Sequence, residues 1–560
     1  MQRRAFLVTL VGTAASSLVP SYSQSGRSDR GRFLARVAPL DLPQPSKDKV
    51  PVYTGTQVTV TGADPTGATN SSTAFEAASA TLSANSGGTL IVPPGTYMLG
   101  RQIINGGFRR GYARGVPSIK IHGCTNKVIL DIRNCTFVCD PSLKFGGFHP
   151  ETGQPYGITT FTIGAHPAPY QWWDFAASPG NTVEITRNRE VEVWGSGPAT
   201  TVFDGNIESM TIGGLFHTNG DGGRQVPHYG LWIHENQSFK LFNGATCKHY
   251  GTDGVSYGWP NMTPSTPLKY HYFENIHGHE NDRLGMSWIG GNHGEFVWCD
   301  FRRNAMTQYT GGSASPPVSG FDIENEVTNS VRYGIGTLTN GKFTRCIFSD
   351  NFGAGLISAS GQDRTHMTFN FCTFDAGRGE ASVTPSARYW KFNHCLMVGA
   401  QHGLISPADM VANGGQGIPA EQAEFNDCVF SSWARDSLLP GLLEWNSTGR
   451  TPGAPAVAGR TTFAVPPAFQ GASSSWGKFT RCTFDTDVWS LGEKTDPGQT
   501  CSYTDCTFKG HQGGTPHHGK FYGINDFQWT NPVPGWGSIN PNIEGQNYGI
   551  IKFNGVQIAP

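Results

Sequence analysis

Apolar positions in this chain fall into short recurring phrases rather than helical stripes. One phrase is an aromatic, two residues, a cysteine, one residue and another aromatic. It occurs as Phe343, Cys346 and Phe348, then as Phe369, Cys372 and Phe374, and as Phe425, Cys428 and Phe430. Phe479, Cys482 and Phe484 repeat it, as do Tyr503, Cys506 and Phe508, and Phe296, Cys299 and Phe301. Ile132, Cys135 and Phe137, and Phe392, Cys395 and Met397, are looser copies. The cysteine and second aromatic alternate with period two and so share one face of a strand. The first aromatic is out of step, which predicts a turn or bulge between it and the cysteine. Cys346, Cys372 and Cys395 are 26 and 23 residues apart, and Cys482 and Cys506 are 24 apart. Repeats of that length read as stacked coils, each of which buries its apolar face only against its neighbours.

A second phrase places a glycine turn before a short apolar strand. It includes Asp253 to Tyr257, Asn281 to Trp288, Ser319 to Glu324, Gly355 to Ser358, and Gln401 to Ser406. These segments are expected to be one strand of successive coils. Residues 431–475 read as a loop thrown out of the stack. Near the N-terminus the period changes: Ala74, Phe75, Ala78 and Leu82 share a helical face over Ser72 to Ala84, with Thr73 and Glu76 spaced for a capping box.

Composition supports a strand-rich chain. Among 560 residues, glycine is abundant at 73, charged residues make up 15% and aromatics 12%. That mix suits short strands and tight turns. A formal net charge of −1 gives no global field for nucleic acid. Eight of twelve cysteines occupy the repeated strand position and are expected as free, buried thiols, with Cys124, Cys135 and Cys139 as the candidates for pairing. No C-x-x-C zinc spacing occurs, and no metal site is expected.

Residues 1–23, with Arg3, Arg4 and an apolar run through Val19, read as a twin-arginine-like export signal. The expected location is therefore periplasmic or extracellular, without a membrane anchor after cleavage. Residues 24–57 read as a linker.

The stretch from Gly62, Ala63, Pro65, Thr66 and Gly67 through the short helix, then Gly87, Gly88, Thr89 and the run Pro93, Pro94, Gly95, Thr96, Tyr97, resembles the N-terminal cap of the pectate-lyase-like superfamily. That superfamily implies an all-β fold, a single-stranded right-handed parallel β-helix, with an N-terminal capping helix that shields the open edge. The β-helix is expected over residues 58–510, with 511–560 as an extension packing on its end. Enzyme-specific patterns of the superfamily do not carry over. Of the polygalacturonase set only isolated His-Gly pairs occur, at His277 and His402. The lyase Arg-x-Pro-x-x-Arg and the epimerase Asp-Pro-His-Glu are absent, although Asn281, Asp282, Arg283 and Gly285 followed by His293 and Phe296 are loosely similar to one epimerase coil.

Candidate chemistry lies where the second phrase becomes charged. Asp253, Asp282, Asp322 and Glu324 are the candidate catalytic carboxylates, with Glu326 nearby. Two carboxylates about 5–5.5 Å apart suit a retaining glycosidase, and about 6.5–9.5 Å an inverting one. Arg283 is the candidate for binding a sugar hydroxyl or carboxylate. Tyr257, Trp259, Trp288, Trp172 and Trp173 are candidate ring platforms for sugars. Three readings stay open: a glycoside hydrolase acting on a polysaccharide or oligosaccharide, a lyase or uronate C5-epimerase using Ca²⁺, and a non-catalytic glycan-binding β-helix. No cofactor is expected for the hydrolase.

Overall fold

The computed structural model describes residues 49–104, 112–155, 161–162, 175–213, 216–217, 226–258, 270–290, 293–304, 319–323, 338–349, 351, 354–357, 364–375, 390–398, 423–431, 477–486, 501–510, 519–529 and 547–559. The export signal, most of the linker, the Gln401 phrase and the 432–475 loop lie outside them.

Each coil contributes up to three strands, and in the three stacked sheets the described strands pair in parallel with their counterparts in the next coil. Antiparallel pairs occur only beside the stack and at its C-terminal end among the described residues. The result is a right-handed parallel β-helix, the handedness expected of parallel crossovers. Its first sheet carries the leading aromatics. Phe273, Phe296, Phe343, Phe369, Phe392, Phe425, Phe479 and Tyr503 stack with ring centroids 4.6–5.2 Å apart. That spacing is the distance between neighbouring strands.

A sharp corner follows, and the residue just before each cysteine makes it. Trp298, Arg345, Phe371, His394, Asp427, Arg481 and Asp505 all have φ between 52° and 60°, the left-handed region that side chains rarely adopt. The expected turn is therefore a single left-handed residue. It rotates the chain so that the cysteine and the next aromatic both face inward in the second sheet. Because 298 and 299 belong to the same step as 345 and 346, the cysteines fall in one line: 299, 346, 372, 395, 428, 482 and 506. Each sulfur lies near the carbonyl of the leading aromatic of the coil before, as Cys346 Sγ does at 3.5 Å from Phe296 O and Cys428 Sγ at 3.3 Å from Phe392 O. All eleven cysteines described are buried and free, Cys124, Cys135 and Cys139 included. Those three, the candidates for pairing, are free like the rest and serve as small side chains in the core.

The third sheet, seven strands deep, runs through Leu231–His234, Asp253–Gly258, Leu284–Trp288, Ser319–Ile323 and Ala354–Ile357. This is the second phrase, stacked as expected, but its glycine is not a turn residue. Gly254, Gly285 and Gly320 hold one register position inside the strand. A Cβ on Gly285 would stand 2.6 Å from Gly320 O and 2.9 Å from the Asn304 amide. The asparagines that crowd it form a buried ladder, Asn281 donating to Asn304 at 3.1 Å and Asn304 to Asn351 at 3.0 Å. Glycine is required there by close approach of the next coil.

The helix Ser72–Ala84 buries Phe75, Ala78 and Leu82 against the first coils. Ser71 at its N-cap makes no side-chain cap bond, and Asn70 Oδ1 accepts from the Ser72 amide at 2.9 Å. Glu76 pairs with Arg101 at 2.7 Å instead of forming the expected capping box. At the other end the ladder continues past residue 510. Gly519–Trp529 pairs in parallel with both Cys501–Thr504 and Thr507–Gly510, and Asn547–Phe553 pairs with it in turn. The expected C-terminal extension is thus a continuation of the stack, closed by the antiparallel strand Val556–Ala559. The described strands on either side of residues 432–476 are continuous in the stack, Val429 pairing directly with Thr483.

Candidate active site

The outward face of the third sheet carries a polar line instead of solvated surface. Leu231 and Ile233 point into the core, so Trp232 and His234 between them point out. The same alternation turns Ser256, Ser287 and Asp322 outward, and they sit opposite Trp232 in successive coils. One row therefore reads Trp232, Ser256, Ser287, Asp322 at about 4.8 Å per step. His234 Nε2 lies 3.0 Å from Ser256 Oγ, and its ring stacks on Trp232 at 3.9 Å. Burial pushes the His234 imidazole down to about 3, so it is neutral at ordinary pH.

Asp253 and Arg283 join this row from one side. Arg283 Nη1 donates to both Asp253 oxygens at 3.3 and 3.2 Å, and Ser287 Oγ donates to Asp253 Oδ2 at 2.9 Å. Ser287 thus links the Asp253 carboxylate to the strand immediately before Asp322. Backbone bonds fix the approach: the Asp282 and Arg283 amides donate to Tyr250 O and Thr252 O, locking that corner onto the coil before. The ion pair is closed from water, with Asp253 and Asp322 at 0% and Arg283 at 3% exposure. Asp282 is buried at the same corner, next to Arg283 in the chain.

Of the sequence candidates, the fold brings together Asp253, Arg283 and, across Ser287, Asp322. Glu324, Glu326, Trp172, Trp173 and Trp259 lie outside the described residues. Tyr257 and Trp288 are corrected. Both are fully buried, and their rings pack on each other at 5.7 Å and on Phe296. They share the inward parity of Val255 and Met286, so neither face is open to a sugar. The partly exposed aromatic on this row is Trp232, three strands along from Asp322, which sequence reasoning missed together with His234 and Ser287. The signal was present in the alternation Leu231, Trp232, Ile233, His234: two polar-edged rings opposite two aliphatic core residues.

A second polar cluster lies around the corner on the outside of the second sheet. His249 bridges Asp204 and Glu280, 3.0 Å from each, and Arg303 pairs with Glu280. Burial alone would lower the His249 imidazole. The two carboxylates outweigh it and raise it to about 9.

No protein-family model matches the chain, and no curated protein matches it. Among solved structures it is similar to the Agl-KA catalytic domain, with 13% identity over 90% of this chain and 69% of that one, TM-score 0.35. The pre-mature bacteriophage phi29 gene product 12 is 10% identical over 89% of this chain and 56% of that one, TM-score 0.37. The Azotobacter vinelandii mannuronan C-5 epimerase AlgE4 A-module is 10% identical over 90% of this chain and 97% of that one, TM-score 0.31.

Proposed function

We propose that this protein is an exported carbohydrate-active enzyme, a glycoside hydrolase that cuts a polysaccharide with the paired carboxylates Asp253 and Asp322. The observation that carries the reading is the outward row Trp232, Ser256, Ser287, Asp322 with Asp253 and Arg283 bound to its centre. Asp253, which accepts hydrogen bonds from a guanidinium and a hydroxyl, serves as the base that activates water or as the nucleophile at the anomeric carbon. Asp322 donates a proton to the departing glycosidic oxygen. Trp232, at the partly exposed end of the row, offers its face to a sugar ring. Because the carboxylates are closed from solvent, turnover on a polymer requires this face to open.

Incubation of the protein with a panel of polysaccharides tests the reading. New reducing ends are expected, lost in both Asp253→Asn and Asp322→Asn under conditions where circular dichroism shows each variant still folded. Full activity in either variant removes the assignment. One observation favours a lyase or C5-epimerase: the Arg283 guanidinium beside the carboxylates is the group that neutralises a uronate carboxylate. Unsaturated product ends, or epimerised uronates without chain cleavage, would decide for it. Binding without any product would leave the protein a glycan-binding β-helix.

A further inference from the structure

The geometry points to a binding site for a divalent transition metal of the Zn²⁺ class, formed by His277, His279 and Asp300 on the outside of the second sheet. No metal is expected from the sequence, which lacks a C-x-x-C zinc spacing; the coil brings these three residues together. His277 and His279 are two apart in the strand Ile276–His279, so both turn outward past the inward Ile276. Asp300, in the next coil, is the direct register partner of His277. One ligand atom from each of the three lies within 4.8 Å of the others.

The chemistry of the set fits. Two imidazoles and a carboxylate are ligands for a borderline divalent ion, and three protein ligands leave a further position for water. His279 Nε2 is 3.6 Å from Asp300 Oδ1, and it has no hydrogen-bond partner although it is screened from solvent. That gap is too long for a hydrogen bond. It is close to the roughly 3.4 Å between two ligands that each stand about 2.1 Å from one tetrahedral ion. Of the two neighbouring cations, one leaves the space and the other occupies it. Lys248, the register partner of His279, is drawn away to Asp204 at 3.2 Å. Arg302 holds Asp300 through both of its oxygens, but its side chain is 41% exposed and can swing into water. The guanidinium thus fills the role of the cation and competes with it. The site is separated from the Asp253–Arg283 pair by the Glu280–Asn281 corner and does not depend on the proposed glycosidase activity.

Isothermal titration of the full chain with Zn²⁺ tests the assignment, with Co²⁺ absorption as a geometric readout. One site is expected whose affinity falls about tenfold or more in His277→Gln, His279→Gln and Asp300→Asn. Co²⁺ should show the intense visible bands of low coordination. Arg302→Gln, which removes the competitor and leaves every ligand in place, should bind Zn²⁺ more tightly than the parent. Absence of binding, or binding equally strong in the three ligand variants, overturns the proposal. So does an Arg302→Gln variant that folds normally and binds more weakly.

Discussion

Arg283→Met removes the positive half of an ion pair that has no access to water. Its Nη1 stands 3.2 and 3.3 Å from the Asp253 oxygens, a distance at which attraction in a protein-like medium is about 5 kcal/mol. Desolvation of both ions offsets most of that in the intact pair. The single variant, however, leaves a carboxylate charge in a fully buried position without its counter-charge, which costs about 3–5 kcal/mol. Asp253→Asn is expected to cost a similar amount by stranding the guanidinium. The double variant, which removes both charges, should be far less unstable than the sum of the two. Urea unfolding followed by tryptophan emission measures this loss of stability, with Trp288, fully buried in the strand that follows Arg283, among the reporters. Strict additivity of the two single effects, or a loss under about 1 kcal/mol for Arg283→Met, would refute the argument that this pair is mutually compensating.

Other expectations follow from features away from that pair. His249 has a folded-state pKa raised to about 9, so its contribution is fully present below the unfolded value near 6.5 and is lost as pH rises through 9. After allowance for the solvent around its partners this is about 1–2 kcal/mol; thermal melts should fall across that window, and His249→Gln should flatten the slope. Phe369→Ala opens a gap between rings stacked 4.6 and 4.8 Å away and should cost about 3–5 kcal/mol in denaturant titrations. The eleven described thiols should resist a disulfide reagent until the chain unfolds, because all are buried and burial pushes Cys135 and Cys139 up to about 12; rapid labelling of any of these eleven in the native protein would contradict the burial. Trp232→Ala should weaken glycan retention in affinity electrophoresis, whereas Tyr257→Phe should leave it unchanged.

The repeat was legible because two inward residues of opposite size, a cysteine and an aromatic, recur with the period of a strand. The corner before it was not, since its left-handed residue is Arg345 in one coil and Phe371, His394 or Asp427 in others. No residue type marks a position whose strain is carried by stacking on both sides. Asp253, Arg283 and Asp322 stood out as charge in an apolar strand, and the fold brings them to one face. Tyr257 and Trp288 were misread because aromatic character was weighed above parity: each keeps step with a core aliphatic two residues earlier. The His277, His279 and Asp300 cluster needed register between coils, which a separation of 23 positions between His277 and Asp300 does not disclose.

The cysteine line also carries an ambiguity. Its members are separated by as few as 23 residues and as many as 54, yet each coil presents nearly the same inward side chains to the next. A chain that skipped one coil while assembling would still set thiol on thiol and ring on ring. The ladder therefore rewards stacking without checking its order. Order must come from the parts that do not repeat: the helix at Ser72–Ala84, which fits only the first coils, and the Asp253–Arg283 pair, which only two particular neighbours can complete. In a β-helix built this way the irregular coils are the index marks that tell one register of stacking from another.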